Sequence, residues 1–169
     1  MDRELHRIVS TCIIVKDGKY LILKRSPHKK VYPGKWTVPG GGLEVDDYIN
    51  TPKTTKDAWY FALEKSLRRE VKEETGLEVG DLKYLLDLTF IRPDDIPVIT
   101  FSFWAEYEPQ KGSLGNNQEQ SGEVELDEDN VEYFWGTLEE LKEYDLIEGI
   151  YDEIEMVDNL IGGKTINEE

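Results

Sequence analysis

Apolar and polar positions fall along the chain in blocks that predict most of its elements. Ile8 to Val15 and Tyr20 to Lys24 are apolar runs joined by Lys16-Asp17-Gly18-Lys19. Asp-Gly between two such runs predicts a tight β-hairpin. Ser26 to Gly42 is a loop rich in turn formers, carrying Trp36 and the run Val38-Pro39-Gly40-Gly41-Gly42. Asp46 to Thr55 is polar and closed by Asn50-Thr51-Pro52. A helix is expected to start near Thr54 or Thr55, with Thr54 and Asp57 as a capping pair. It runs to Thr75, where Gly76 is a natural stop. Leu82 to Ile91 and Val98 to Tyr107 predict strands, separated by a turn at Arg92-Pro93-Asp94-Asp95. Gln110 to Gly122 is a polar loop, Glu123 to Asn130 is strongly acidic, and Val131 to Trp135 predicts a short strand. Thr137-Leu138-Glu139-Glu140 is a capping box that should open a helix. Ile147 to Ile161 predicts a terminal helix, apolar at Ile147, Ile150, Tyr151, Ile154 and Val157. Strands and helices mix without a regular βαβ repeat, which predicts one α+β domain over residues 1–169 built on a layered sheet.

The helix ending at Thr75 departs from ordinary amphipathic patterning. On a wheel at about 100° per residue, Trp59, Leu63 and Leu67 define a core-facing stripe. Glu70 and Glu74 continue that stripe with Glu73 beside them, while Lys65, Arg68 and Lys72 fall opposite. Carboxylates related by i, i+3 and i+4 converge on one region, repel one another, and lose hydration if partly buried. Acidic side chains at a helix C-terminus also oppose the macrodipole. A divalent cation taking oxygen ligands would relieve each of these costs. Solvated glutamates at a helix end are the alternative, and wheel position alone does not choose between the two.

Composition narrows the classes. With 169 residues, 38% hydrophobic and 11% aromatic, the chain can bury a substantial core. No apolar run approaches the roughly 20 residues that span a bilayer, and the start Met1-Asp2-Arg3-Glu4 is too charged for a secretory signal. The lone Cys12 lies in an apolar run and reads as a small buried hydrophobe. A soluble cytoplasmic protein is expected, with no membrane partner. The net charge of −16 repels nucleic acid, and would also repel a free nucleotide. One stretch reverses that field: Lys19 to Leu43 holds six Lys or Arg and no Asp or Glu. Lys24, Arg25 and Lys35 flank the glycine run and are the candidates for phosphate contacts, whereas Lys29 and Lys30 read as solvated.

Arg69-Glu70-Val71-Lys72-Glu73-Glu74-Thr75-Gly76-Leu77 resembles the second half of the Nudix signature, matching each of its specified positions. Trp36-Thr37-Val38-Pro39-Gly40-Gly41-Gly42-Leu43-Glu44 is similar to the glycine-rich loop that leads into it. Two departures stand out. Counting from Gly41, Asp47 occupies the position of the family's first Glu, and 21 residues rather than seven separate it from Arg69, an insertion at about 48–61. The resemblance implies an α/β/α sandwich with a mixed β-sheet between helices. It implies hydrolysis of a diphosphate linkage in a nucleoside diphosphate or triphosphate derivative.

The same resemblance implies Mg²⁺ as cofactor, with Mn²⁺ able to substitute, held by Glu70, Glu73, Glu74 and a backbone carbonyl near Gly40. Arg69 would orient a neighbouring glutamate. Arg25, Lys24, Lys35, Trp36, Gly41 and Gly42 are the expected substrate contacts, with Tyr32 and Phe90 as further stacking candidates and Trp104 expected in the core. Glu70, Glu74 or an acid of the later segment would take the proton from water, and Glu128 and Asp129 are singled out there. A small-molecule nucleotide is the expected partner, and the resemblance also leaves room for a homodimer. Four readings compete: a hydrolase of nucleoside diphosphate derivatives, a nucleoside triphosphatase, a regulatory module of the same fold without catalysis, and a plain acidic α+β interaction domain, against which the inward carboxylates and the glycine loop count.

Overall fold

The computed structural model describes residues 5–108 and 123–163. Among these, seven strands form one mixed sheet: β1 (Arg7–Lys16), β2 (Lys19–Arg25), β3 (Trp36–Thr37), β4 (Gly40–Gly42), β5 (Lys83–Ile91), β6 (Pro97–Glu106) and β7 (Asn130–Gly136). The helices are α1 (Ala62–Thr75) and α2 (Ile150–Ile161). The β1–β2 hairpin forms as expected: Lys16 pairs with Lys19, and Asp17 and Gly18 take φ values of 50° and 71°, both left-handed as a two-residue turn of this hand requires. Strand β1 runs parallel to β6 from Arg7 to Val15, and β5 pairs antiparallel with β6.

On its other edge β1 divides its partners. Val15 and Lys16 pair with β2, while Val9, Ser10 and Thr11 pair with Gly42, Gly41 and Gly40 of β4. The glycine run is therefore wedged into the sheet where β1 and β2 part. Side chains of β1 alternate between two cores, as a period of two demands. Cys12 and Ile14 pack with Leu21, Leu23, Leu67 and Val71 beneath α1. Ile13 and Val15 pack with Tyr20, Ile22, Ile154 and Val157 beneath α2. The sheet thus lies between two helices, each burying side chains worth roughly 2–3 kcal/mol apiece. The Tyr20 hydroxyl donates to Asp158 Oδ1 at 2.7 Å and ties α2 to the sheet. Cys12 is buried in the core, and burial pushes its thiol up to about 12.

Three expected boundaries move. Helix α1 begins at Ala62, not near Thr54, because the threonine hydroxyls capture amides before a helix can form. Thr54 Oγ1 accepts from Tyr60 N at 3.1 Å and Thr55 Oγ1 from Ala58 N at 3.1 Å, and Phe61 turns left-handed at φ 60°. Trp59 therefore leaves the helical stripe: its indole N–H donates to the Thr51 carbonyl, and its ring packs against Tyr48 at 5.2 Å. The insertion forms a self-packed loop without added helical turns. The Thr137–Glu140 box closes as drawn but opens only the 3-10 turn Glu140–Glu143. The terminal helix starts at Ile150, since the Ile147 amide is claimed by the Trp36 carbonyl and Gly149 is left-handed at φ 89°. The loop expected over Gln110 to Gly122 lies outside the described residues.

Candidate active site

Helix α1 meets β4 through its last turns. Leu67 and Val71 bury their side chains under the sheet, which leaves Glu70 and Glu74 against the glycine run. The Gly40 amide donates to Glu74 Oε2 at 2.8 Å. A Cβ on Gly41 would lie 2.3 Å from the Glu70 carboxyl carbon, so that residue must be glycine for the carboxylate to rest on the backbone. A Cβ on Gly40 would meet the Ser10 carbonyl oxygen at 2.3 Å, and Gly40 also sits at φ 154°. The Gly42 site is filled instead by the Arg7 guanidinium.

Arg69 is the electrostatic hub. It donates to Asp47 Oδ1 at 2.6 Å and Oδ2 at 3.2 Å, and to Glu73 Oε2 at 2.8 Å, and it lies 2.9 Å from Glu70 Oε1. The Asp47 side chain is only 5% exposed. The 3-10 turn Val45–Asp47 carries its shorter arm within reach, and the Glu44 amide donates to the same carboxylate. The Arg69 guanidinium holds Asp47 below the usual carboxylate range. Glu74 is pushed up to about 7, chiefly by burial, with the negative charge of Glu70 adding to it. Burial also raises Glu70, opposed by Arg69.

Among the described residues no group of three acids already lies close enough to hold a metal ion. Glu73 is exposed and turned to Arg69, so the expected trio does not converge as the wheel suggested. The donors nonetheless suit a hard divalent cation. Glu74 is partly buried, has no hydrogen-bonded cation among the described residues, and is repelled by the Glu70 carboxylate; a cation offsets both the desolvation and the repulsion. Glu70 and Glu74 lie against the glycine run, the Gly40 amide donating to Glu74, while Glu73 is held by Arg69.

A cavity of about 370 Å³ opens beside Glu74 and Gly40, within the size range of small-molecule sites. Arg25 and Tyr32 line one side, Val9, Thr11, Leu88, Phe90 and Thr100 the sheet face, and Ile150 and Glu153 the start of α2. The Arg25 guanidinium is fixed by two hydrogen bonds to the Val31 carbonyl, at 3.1 and 2.9 Å. Of the substrate contacts expected from the sequence, Arg25 lines the cavity; Lys24, Lys35, Trp36, Gly41 and Gly42 do not. Lys24 is paired with Glu132 at 2.6 Å and Lys35 with Asp145, because acids outnumber bases over most of this surface. Trp36 is 8% exposed and packs edge-on to Tyr144 at 4.8 Å, so its ring is core. Tyr32 and Phe90 do line the cavity, whereas Trp104 is partly buried, packed against the core beneath α2 with Lys83 over its ring at 4.1 Å.

The later acidic segment also differs from expectation. Glu128 is exposed and Asp129 pairs with Lys29, so neither turns to α1. The residues that do are Asn130, whose amide donates to Glu74 Oε1 at 3.4 Å, and Asp127, which accepts from Asn130 at 3.1 Å and adds its charge to the field at Glu74. The reason is local: Asp127 Oδ1 takes the Asp129 amide at 3.0 Å, which closes a turn and faces Asp127 inward as β7 begins. No motif marks Asn130 in the sequence. Glu153 lies at the edge of the apolar stripe that Ile150, Ile154 and Val157 form on α2.

Comparison with known proteins bears on this arrangement. The family model described as "NUDIX domain" matches residues 4–156. The nucleoside triphosphatase NudI of Escherichia coli K12 is 31% identical over 145 residues, covering 83% of this chain and 88% of its own. The MutT protein of Methanosarcina mazei Go1 superposes with a TM-score of 0.66 at 24% identity, over 95% of this chain and 99% of that one. The NUDIX domain of Shewanella oneidensis NrtR, solved with ADP ribose, superposes with a TM-score of 0.61 at 16% identity, over 95% and 90%.

Proposed function

The chain belongs to the Nudix family of pyrophosphohydrolases, and from that premise we propose that it uses Mg²⁺ to cleave a nucleoside triphosphate into a nucleoside monophosphate and pyrophosphate. The observation that carries this reading is the approach of Glu70 and Glu74 to Gly41 and Gly40, with Glu74 and Gly40 also lining the cavity. The likeness to a nucleoside triphosphatase supports the choice of triphosphate.

Glu70, Glu74 and the Gly40 carbonyl would hold the cation, joined by Glu73 once it leaves Arg69. When bound, a divalent cation screens the diphosphate charge and acidifies water. The rest falls to the chain's own residues. Arg69, anchored by Asp47, keeps Glu70 aimed at the glycine run. Arg25 offers the positive charge within the cavity for a phosphate oxygen. Asn130 steadies Glu74, and Asp127 replaces Glu128 as the acid of the later segment placed to take a proton from water. Water attacks the α-phosphorus, the bond to the bridging oxygen breaks, and pyrophosphate leaves. Much of the rate then comes from placement.

The chain works as one domain in the cytoplasm, and its charge of −16 keeps nucleic acid away. Among the described residues no helix is long and apolar enough to cross a membrane. The test is product analysis with nucleoside triphosphates, ADP-ribose and nucleotide sugars, with Mg²⁺ and with chelator. Pyrophosphate from triphosphates, lost with chelator, is the expected result. Turnover of ADP-ribose alone would move the reading to diphosphate derivatives. Binding without turnover would make the chain a regulatory module.

A further inference from the structure

The cavity wall holds a group that the chemistry above leaves unused. Glu153 is 7% exposed and lines the cavity from α2. Its Oε2 accepts the hydroxyl proton of Ser102 at 2.6 Å. No cation is paired with it among the described residues, and burial raises it above the ordinary glutamate range. Thr11 lines the same cavity, and its Oγ1 is buried and without a partner among the described residues. Around them the walls are apolar, with Leu88 and Phe90 from β5 and Ile150 from α2. A flat ring between apolar walls, with a polar edge turned to a carboxylate, is the ligand such a chamber suits.

We propose that Glu153 is a specificity-determining residue that reads the nucleobase, accepting N–H groups from its edge and favouring guanine. The inference rests on the nucleotide reading of the site given above. Guanine alone among the common bases presents two adjacent N–H donors, at N1 and N2, with no acceptor between them. Adenine and cytosine set a ring nitrogen lone pair beside the amino group. Uracil and thymine flank their single N–H with two carbonyl oxygens. Each of these alternatives puts an acceptor against an acceptor, which a buried carboxylate rejects. Ser102 acts as a positioning residue: by donating to Oε2 it fixes the carboxylate in the cavity wall.

The experiment compares kcat/KM for GTP, ATP, CTP and UTP in the native chain, Glu153→Gln, Glu153→Asp, Ser102→Ala and Ser102→Thr. Binding of GMP and AMP without metal is measured alongside. The native chain should prefer GTP. Glu153→Gln should lose on the order of ten- to hundredfold on GTP, mostly in KM, while the other three substrates change little. Glu153→Asp keeps charge and fold but withdraws the carboxylate by one methylene, and should lose the preference too. Ser102→Ala should blunt the preference, and Ser102→Thr restore part of it. Equal losses on all four substrates, or a native enzyme blind to the base, would overturn the proposal and leave the hydrolase reading intact. Absence of turnover with GMP binding still dependent on Glu153 would do the reverse. Neither turnover nor GMP binding would remove both.

Discussion

Helices α1 and α2 cover opposite faces of one sheet, and each brings glutamate against it. They do so in different settings. On α1 the acids occupy the last turns, against a strand of three glycines, with an arginine and main-chain amides as neighbours. On α2 the acid sits at the edge of the apolar stripe, in the wall of a cavity, with one serine hydroxyl and no cation among the described residues. The difference shows how surroundings assign a carboxylate its work. Paired acids at a helix end beside backbone oxygen suit a cation. A single acid deep in an apolar chamber suits a neutral donor.

The comparison can be broken first at α1. Glu74→Gln should lower kcat on the order of a hundredfold or more, read by pyrophosphate release, with the fold kept. Next comes the glycine strand, where two neighbouring substitutions should separate stability from activity. Gly40→Ala drives a methyl group into the Ser10 carbonyl and should cost about 2–3 kcal/mol in denaturant unfolding. Gly41→Ala first meets the movable Glu70 side chain, and should lose roughly tenfold or more in kcat with a smaller change in stability.

Asp47→Ala unties Arg69 and should cost about 1–2 kcal/mol, discounted because Arg69 is part-exposed. Because Arg69 holds Asp47 below its usual range, that stabilisation is present above the ordinary aspartate pKa and fades as pH falls through the depressed one. The gap between native chain and variant should therefore close in acid melts. The smallest effect belongs to α2. Burial raises Glu153, so its cost is absent below the ordinary glutamate pKa, appears as pH rises, and is complete above the raised value. Glu153→Gln should match the native chain in acid and exceed it by about 1 kcal/mol or less at neutral pH.

The strands and the chemistry of α1 were legible from the sequence because both rest on local periodicity. Asp17-Gly18 predicted its turn, and Glu70 and Glu74 declared themselves by falling in line with Leu67. The misplaced start of α1 has a side-chain cause: threonine hydroxyls at Thr54 and Thr55 outcompeted the helix for amides. Lys24, Lys35 and Trp36 were expected at the substrate because they flank the glycine run, yet tertiary pairing with Glu132, Asp145 and Tyr144 takes them elsewhere. Asn130 and Asp127 reach Glu74 only through the fold, across more than fifty residues of chain, and no spacing rule could show it. Glu153 was not legible, because the apolar stripe reads cleanly through Ile150, Ile154 and Val157 and leaves Glu153 at its edge.

The central claim is that the end of α1 and the glycine strand form the cation site. Mn²⁺ binding followed by electron paramagnetic resonance tests it without relying on turnover. The native chain should bind Mn²⁺ in competition with Mg²⁺, Glu74→Gln and Gly41→Ala should bind it markedly more weakly, and Glu128→Gln should bind it as the native chain does. Unchanged Mn²⁺ affinity in Glu74→Gln and Gly41→Ala would place the metal elsewhere and contradict the account.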